Sequence, residues 1–441
     1  MTSSNLHQQQ REPELTRRDV ILAAAATPTL ASVMSKAVAA EPAAAAVGPI
    51  LGHVDHQTAM IWYRPPSPGK YAALLRHTKS GTTQTAEAMS SPEHDQCVAW
   101  RFDGLQPDSD YSYVISREGE AVAEADGQQF RTAPPTDRPT RTTLAMGSCA
   151  SSTDFFDVWS QIATHDVDGL MLLGDTPYID STRLEVNRSR HREFLSIPTL
   201  AELGASTPVW GTWDDHDFGG NDTDGKVGNK QVLRQVFTEY RAQLQFGDGE
   251  HGVYTKFRRG PVEVFMLDPR YFSQTEASPV DPEKPTCLGK TQWQWIREGL
   301  KSSTAPFKLL ATGMIWDDKK NSEKDDWGTY AHEREALFDF IGEHQIRGVV
   351  LIGGDIHVSR HLRYPMKDRI GYDLHQFIIS PLHDRVIPSL NVPHPHLQWG
   401  RPLKNMFLTI VVDDTQDTPT LEAQWVDRTG KVHYEVRIAE S

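Results

Sequence analysis

Between about residues 48 and 133 apolar and polar positions alternate in short runs: "TAMIWYR", "YAALLRH", "CVAWRFDGL", "DYSYVISR" and "GQQFRTAPP". Period-two alternation, broken by Gly, Pro and Asp, predicts the half-buried strands of an all-β sandwich. The stretch "TAPPTDRPT" (132–140) then reads as a Pro-rich hinge. Beyond it the texture changes. Continuous apolar runs alternate with helical stretches such as "DFFDVWSQIATH", "NKQVLRQVFTEYRAQL", "KTQWQWIREGLKSS" and "AHEREALFDFIGEH". Runs apolar on both faces suit buried strands, so residues 140–441 are expected to be an α/β domain.

The first forty residues read as an address. "TRRDVIL" (16–22) carries Arg17 and Arg18, a weakly apolar stretch follows, and Ala37, Val38 and Ala39 make an Ala-x-Ala end. That order is an export signal of the twin-arginine (Tat) kind, over about residues 1–40, which implies the Tat export machinery as a partner and a periplasmic or extracellular protein. Pro28 and Lys36 interrupt the apolar run, so it would span a membrane poorly, and no later run reaches the length of a transmembrane helix.

Composition narrows the functional classes. A chain of 441 residues, 38% hydrophobic, exceeds one domain of usual size. Its net charge is −14, and no dense Lys/Arg run lies outside the N-terminus, which argues against a nucleic-acid platform. Three cysteines, Cys97, Cys149 and Cys287, are too few and odd in number for a disulfide framework.

Candidate chemistry stands at the ends of the apolar runs, where α/β sheets collect their ligands. "TLAMGS" ends at Cys149, "GLMLLG" runs into Asp175 and Tyr178, and "PVWGT" leads to "WDDHDFGGND". "VEVFML" precedes Asp268 and Arg270, "KLLATGMIW" precedes Asp317 and Asp318, and "GVVLIGG" precedes Asp355 and His357. The stretch "WDDHDFGGND" alone gathers Asp214, Asp215, Asp217 and Asp222 around His216 and Asn221. Like charges so close oppose folding unless a cation sits among them. Carboxylates and an amide suit hard ions such as Ca²⁺ or Mg²⁺, whereas a thiolate, a phenolate and an imidazole suit a transition metal. A site using both sets would be heteronuclear, with Asp175 as the natural bridge.

In order and content the motifs "GSC", "GDTPY", "WDDHD", "GVYTKFRRGPVEVFMLDPR", "LGKTQWQWI", "DDWGTYAHERE" and "GGDIH" resemble the alkaline phosphatase D (PhoD-like) branch of the calcineurin-like metallophosphoesterases. The segment from "GLQPDSDYSYVISREGE" to "FRTAPP" resembles a fibronectin type III domain, with Tyr111 and Tyr113 as inward anchors. The resemblance implies a fibronectin III-like sandwich (48–133) and a four-layer αββα catalytic domain (140–441). It also implies one Fe³⁺ with one or two Ca²⁺, other divalent metals being possible. Carried onto these positions, Cys149, Tyr178 and His357 would hold iron, Asp175 would bridge, and Asp355 would face calcium. Asp215 or Asn221 would be a further ligand, and His216 would act beside the phosphate. Arg270 would contact an oxyanion or brace Asp268, with bracing preferred, while Asp214, Asp217 and Asp222 carry no assigned role.

The expected activity is metal-assisted hydrolysis of phosphomonoesters, phosphodiesters or both, without a covalent phospho-enzyme. A phospholipase D-type phosphodiesterase on lipid or cell-envelope substrates is the alternative. A non-catalytic surface-binding protein is the reading from another class.

Overall fold

A computed structural model describes residues 45–123, 127–152, 157–317 and 323–440. The export signal expected over residues 1–40, and Asp318, lie outside the described residues. No helix among the described residues is long and apolar enough to cross a membrane.

The N-terminal region is β-rich. Strands Val47–Val54, Ala59–Arg64 and Val98–Phe102 form an antiparallel sheet. A second sheet runs in the order Thr83–Ser90, Gly69–His77, Asp110–Arg117 and Glu120–Ala123, with Gln129–Arg131 also paired to Asp110–Arg117. Their inward residues, among them Ile61, Leu75, Trp100 and Ile115, form one core. Alternation in "DYSYVISR" places Tyr111 and Tyr113 in that core, as expected. Tyr111 uses its hydroxyl to accept the Gln106 N–H at 2.8 Å. Tyr113 reaches outward to donate to the Ala205 carbonyl at 2.7 Å.

The expected hinge is pinned. Ala133 N–H donates to the Asp55 carbonyl at 3.1 Å, Thr140 N–H donates to Asp414 at 2.6 Å, and Arg138 pairs with Asp108. Arg259, from the following region, reaches back to the Val54 and Arg131 carbonyls, both at 3.2 Å. Residues 43–441 accordingly form one compact unit.

After the linker, two sheets face one another. In the first, parallel strands Val209–Gly211, Gly169–Leu172 and Arg141–Gly147 continue into antiparallel strands Met406–Asp413, Thr420–Asp427 and Val432–Ala439. In the second, the order is Thr255–Arg259, Val262–Met266, Phe307–Ala311, Val349–Gly353, Leu374–Ile378, Ser359–Tyr364 and Leu397–Arg401, with Val262–Met266 through Leu374–Ile378 mutually parallel. The parallel strands Gly169–Leu172, Phe307–Ala311 and Val349–Gly353 are buried along their whole length, matching sequences that are apolar except at Lys308. The main core sits between the sheets, joining Leu144, Met171, Leu408 and Trp425 to Val264, Leu309, Ile352 and Phe377.

Helices cover the outer faces. Gly289–Ser302 and Ala331–Glu343 pack through Trp293, Ile296, Leu337 and Ile341 on the second sheet. Val158–Ala163, Leu184–Leu195 and Pro198–Ser206 pack on the first. The stretch expected to be helical over 229–244 is helix only at Lys230–Glu239, because Tyr240 and its successors turn to pack against the sandwich strand Val47–Val54.

Candidate metal centre

Loops leaving the parallel strands of both sheets meet at one rim. Ser148 and Cys149 follow Arg141–Gly147, and residues 174–178 follow Gly169–Leu172. From the facing sheet come residues 354–357 after Val349–Gly353 and residues 380–383 after Leu374–Ile378. Close approach demands glycine at the junctions: a Cβ on Gly354 would stand 2.4 Å from Ser148 Oγ, and one on Gly174 2.6 Å from Asp214 Cβ. Backbone bonds knit the loops, with Leu382 N–H donating to the Ser148 carbonyl at 2.9 Å and His383 N–H to the Cys149 carbonyl at 3.1 Å. Cys149, Asp175, Asp180, Asp222, Asp355 and His357 all adopt left-handed backbone conformations, an unfavourable state that a surrounding structure must hold.

These loops bring the expected residues together. Cys149 Sγ lies 3.4 Å from Asp175 Oδ2, and Tyr178 Oη lies 2.7 Å from His357 Nε2. Candidate ligand atoms of Cys149, Asp175 and His357 fall within 4.8 Å of one another, as do those of Asp175, Asp215 and His216, and those of Asp215, Asp222 and Asp325. Asp175 belongs to the first two groups and Asp215 to the last two. Asn221 lines the same cleft.

The electrostatics fit a cation. Asp175 is buried, and its Oδ1 has no hydrogen-bond partner among the described residues. Buried carboxylate oxygens are otherwise almost always paired. Burial pushes the Asp175 carboxyl well above the usual range, and the carboxylates of Asp215, Asp214, Asp217 and Asp355 push it further. Burial and then Asp175 raise the Cys149 thiol, and burial followed by Cys149 and Asp175 raises the Tyr178 phenol. Such a donor set becomes anionic only when a cation offsets its mutual repulsion.

Imidazole tautomers follow from the backbone. The Arg385 carbonyl can only accept, so at 3.1 Å it places a proton on His357 Nδ1 and leaves the Nε2 lone pair facing the site. Arg385 N–H donates to His383 Nδ1 at 2.9 Å, so the His383 proton resides on Nε2, 3.3 Å from Tyr178 Oη. Burial holds His357 and His383 neutral, depressing their pKa values to about 4 and about 3.

"WDDHD" opens a short helix, Asp215–Phe218, and divides its carboxylates among different tasks. Asp217 accepts the backbone N–H groups of Asp175, Thr176 (3.1 Å) and Asp214 (2.9 Å), and so shapes the "GDT" turn. Asp215 accepts N–H groups from His216 and Asp222, both at 2.8 Å. His216 Nδ1 pairs with Asp180 Oδ1 at 2.5 Å.

The expected role of Arg270 needs correction. Asp268 is held by the Trp213 indole (2.6 Å) and by backbone N–H groups of Val253, Arg270 and Tyr271. The Arg270 guanidinium is buried elsewhere, on Asp214 (Nε to Oδ1 2.6 Å) and Asp325 (3.4 Å). Its side chain braces Asp214, and it lines the neighbouring pocket with Asp222 and Asp325 rather than the cleft of Asp175.

Sequence reasoning missed His383, Asp180 and Asp325. The strand-end rule could have found His383, since "HQFIIS" runs directly into "PLHDR". Asp180 gives no such signal, because its loop folds back from the rim to place its carboxylate on His216.

Comparison with known proteins agrees with this geometry. Residues 144–392 match the family described as PhoD-like phosphatase, more than half of the chain. The chain belongs to the PhoD-like phosphatase family. Residues 43–136 match a separate domain of unknown function, DUF7800. Alkaline phosphatase D of Bacillus subtilis (strain 168) is 26% identical over 323 residues, 62% of this chain and 55% of that protein. The match thus spans little more than half the length of that relative. A solved structure of PhoD superposes with a TM-score of 0.71 at 19% identity, covering 88% of this chain and 91% of the other. The purple acid phosphatase PPD1 of yellow lupin seeds superposes with a TM-score of 0.65 at 11% identity, covering 90% and 74%. The PhoD-like fold is therefore the metallophosphoesterase fold shared with purple acid phosphatases, preceded by a β-rich region.

Proposed function

We propose that this chain is a metal-dependent phosphoesterase hydrolysing phosphomonoesters, phosphodiesters or both. The supporting observation is Asp175, a buried carboxylate that reaches a thiol–imidazole group on one side and a carboxylate–imidazole group on the other. The donor chemistry differs between the two sides. Cys149, Tyr178 and His357 suit Fe³⁺, Asp355 with Asp215 suits Ca²⁺, and Asp175 suits the place between them. Asp215 is favoured over Asn221 because its buried carboxylate lies within 4.8 Å of an Asp175 oxygen, whereas Asn221 is exposed. Metals held by these residues would supply the positive charge that polarises phosphoryl oxygens and lowers the pKa of water.

The chain's own residues do the rest. His216, with Nδ1 held by Asp180, presents Nε2 to the cleft and protonates the departing alkoxide. His383 donates to the Tyr178 oxygen and thereby orients it. Asp217 holds the turn that presents Asp175, and Arg270 offsets the charge of Asp214. No side-chain nucleophile is needed.

Export through the Tat route is proposed from Arg17 and Arg18 in "TRRDVIL". A fibronectin III-like identity for 48–133, as a domain distinct from 140–441, is proposed from the strand order of its two sheets. The four-layer description of the catalytic region is proposed from helices on both outer sheet faces.

The decisive experiment measures turnover of a phosphomonoester and a phosphodiester alongside elemental analysis of the purified protein. Turnover with bound iron and calcium is expected. A folded, metal-supplied protein inactive on both esters would overturn the reading.

A further inference from the structure

The cleft containing Asp175 has a volume of about 450 Å³. Pockets of roughly this size hold whole small molecules, so there is room for an organic group beside a phosphoryl group. One wall is unlike the rest. Besides Asp175, Asp215, Asp355 and the imidazoles, the cleft is lined by Arg385, Ile387, Leu390 and Ile356.

The wall is held in place from below. His357 Nδ1 donates to the Arg385 carbonyl at 3.1 Å, Arg385 N–H donates to His383 at 2.9 Å, and Ile387 N–H donates to the His357 carbonyl at 3.4 Å. The residues that shape the candidate centre therefore also set the position of this segment. Ile387 leaves 40% of its surface exposed, and the exposed part faces the cleft. The Arg385 guanidinium lies over the Tyr178 ring, 5.4 Å from its centroid, and no carboxylate pairs with it among the described residues. Arg190, the other arginine on the cleft, is by contrast engaged by Glu193 at 2.9 Å. An arginine over an aromatic ring and not paired with a carboxylate keeps its donor fork available to an anion.

We propose that Arg385–Leu390 is the substrate-recognition wall: Arg385 binds a phosphoryl oxygen, and Ile387 with Leu390 receives an apolar or planar organic group of the ester. The inference rests on the phosphoesterase reading and deepens it, since it names aryl or otherwise apolar phosphate esters as the preferred class.

The test compares p-nitrophenyl phosphate with glycerol 3-phosphate in the full chain loaded with iron and calcium. Comparing each variant with wild type cancels the intrinsic difference between the leaving groups. Ile387→Ser is expected to raise KM for the aryl ester roughly tenfold, the scale of a lost apolar contact in a pocket. The glycerol ester should change less than threefold, and Ile387→Leu should restore the aryl preference. Arg385→Gln should lower kcat/KM on both esters at least tenfold with metal content retained. Equal effects of Ile387→Ser on the two esters, or full activity of Arg385→Gln, would overturn the inference while leaving the phosphoesterase reading intact. A wild-type chain inactive on both esters would overturn both.

Discussion

Two pairs of histidines, each with one ring buried and one half-buried and each set against a tyrosine, are carried by the second sheet and the loops at its rim. At the rim, His357 and His383 meet Tyr178; deeper, His361 Nε2 lies 2.9 Å from His375 Nδ1, and His361 Nδ1 lies 3.0 Å from Tyr434 Oη. Burial keeps all four neutral, with His361 depressed to about 3 and His375 to about 4, much as at the rim. The difference is where the nitrogens point. In the deep pair both His361 nitrogens and His375 Nδ1 are spent on each other and on Tyr434, among Phe377 and Trp425. At the rim the backbone of Arg385 takes both Nδ1 atoms, which leaves both Nε2 atoms directed at Tyr178 beside a thiol and carboxylates. The Arg385 backbone thus turns the His357 lone pair and the His383 N–H toward Tyr178, where anionic donors converge, and that convergence is what the deep pair lacks.

Breaking the rim should abolish function. Asp175→Asn removes the charge shared by two candidate groups, and is expected to lower kcat by at least a thousandfold together with metal content. Full turnover in this variant, measured on a chromogenic ester with elemental analysis, would sink the assignment. His216→Ala is next, with an expected loss of about 10²–10⁴-fold in kcat at unchanged metal content; loss of metal instead would make His216 a ligand. Asp180→Asn should be milder, roughly tenfold in kcat, since it only orients His216. Its effect should vanish in a His216→Ala background, a coupling that a merely structural role for Asp180 would not produce.

This ordering shows which parts of the molecule were legible in the sequence. A parallel strand buried on both faces reads as a nearly continuous apolar run, so its end is visible, and Cys149, Asp175, Tyr178, Asp355 and His357 follow such runs. The alternating "DYSYVISR" likewise announced its buried tyrosines. Partners set by chain reversal were hidden. Asp180 meets His216 and Arg270 meets Asp214 across 36 and 56 residues respectively, through loops with no periodicity. The C-terminal strands Met406–Asp413 and Thr420–Asp427 were also not singled out, although they complete the sheet that bears Cys149. Helices Leu184–Leu195 and Pro198–Ser206 were missed because the first is largely polar and the second is short.

Breaking the deep pair should leave chemistry alone and alter acid stability, the smallest effect expected. For both His361 and His375 the folded pKa lies below the ordinary value of 6.5. Below pH 6.5 the unfolded chain therefore binds protons that the folded chain refuses, and stability falls as pH drops toward 4. At pH 5 the loss is on the order of 1–2 kcal/mol per ring, from a shift of this size. Arg363 and Asp373, which pair with each other beside His375, act on it with opposite signs. The rim histidines add a similar acid sensitivity, so the contrast must be taken between variants. His361→Leu with His375→Leu should reduce the drop in Tm between pH 7 and pH 5 relative to wild type, whatever its effect on Tm at pH 7. It should retain metal content and kcat within about threefold, because neither ring reaches the cleft. An undiminished drop would mean that the deep pair takes up protons while folded, and that its likeness to the rim pair extends to solvent access.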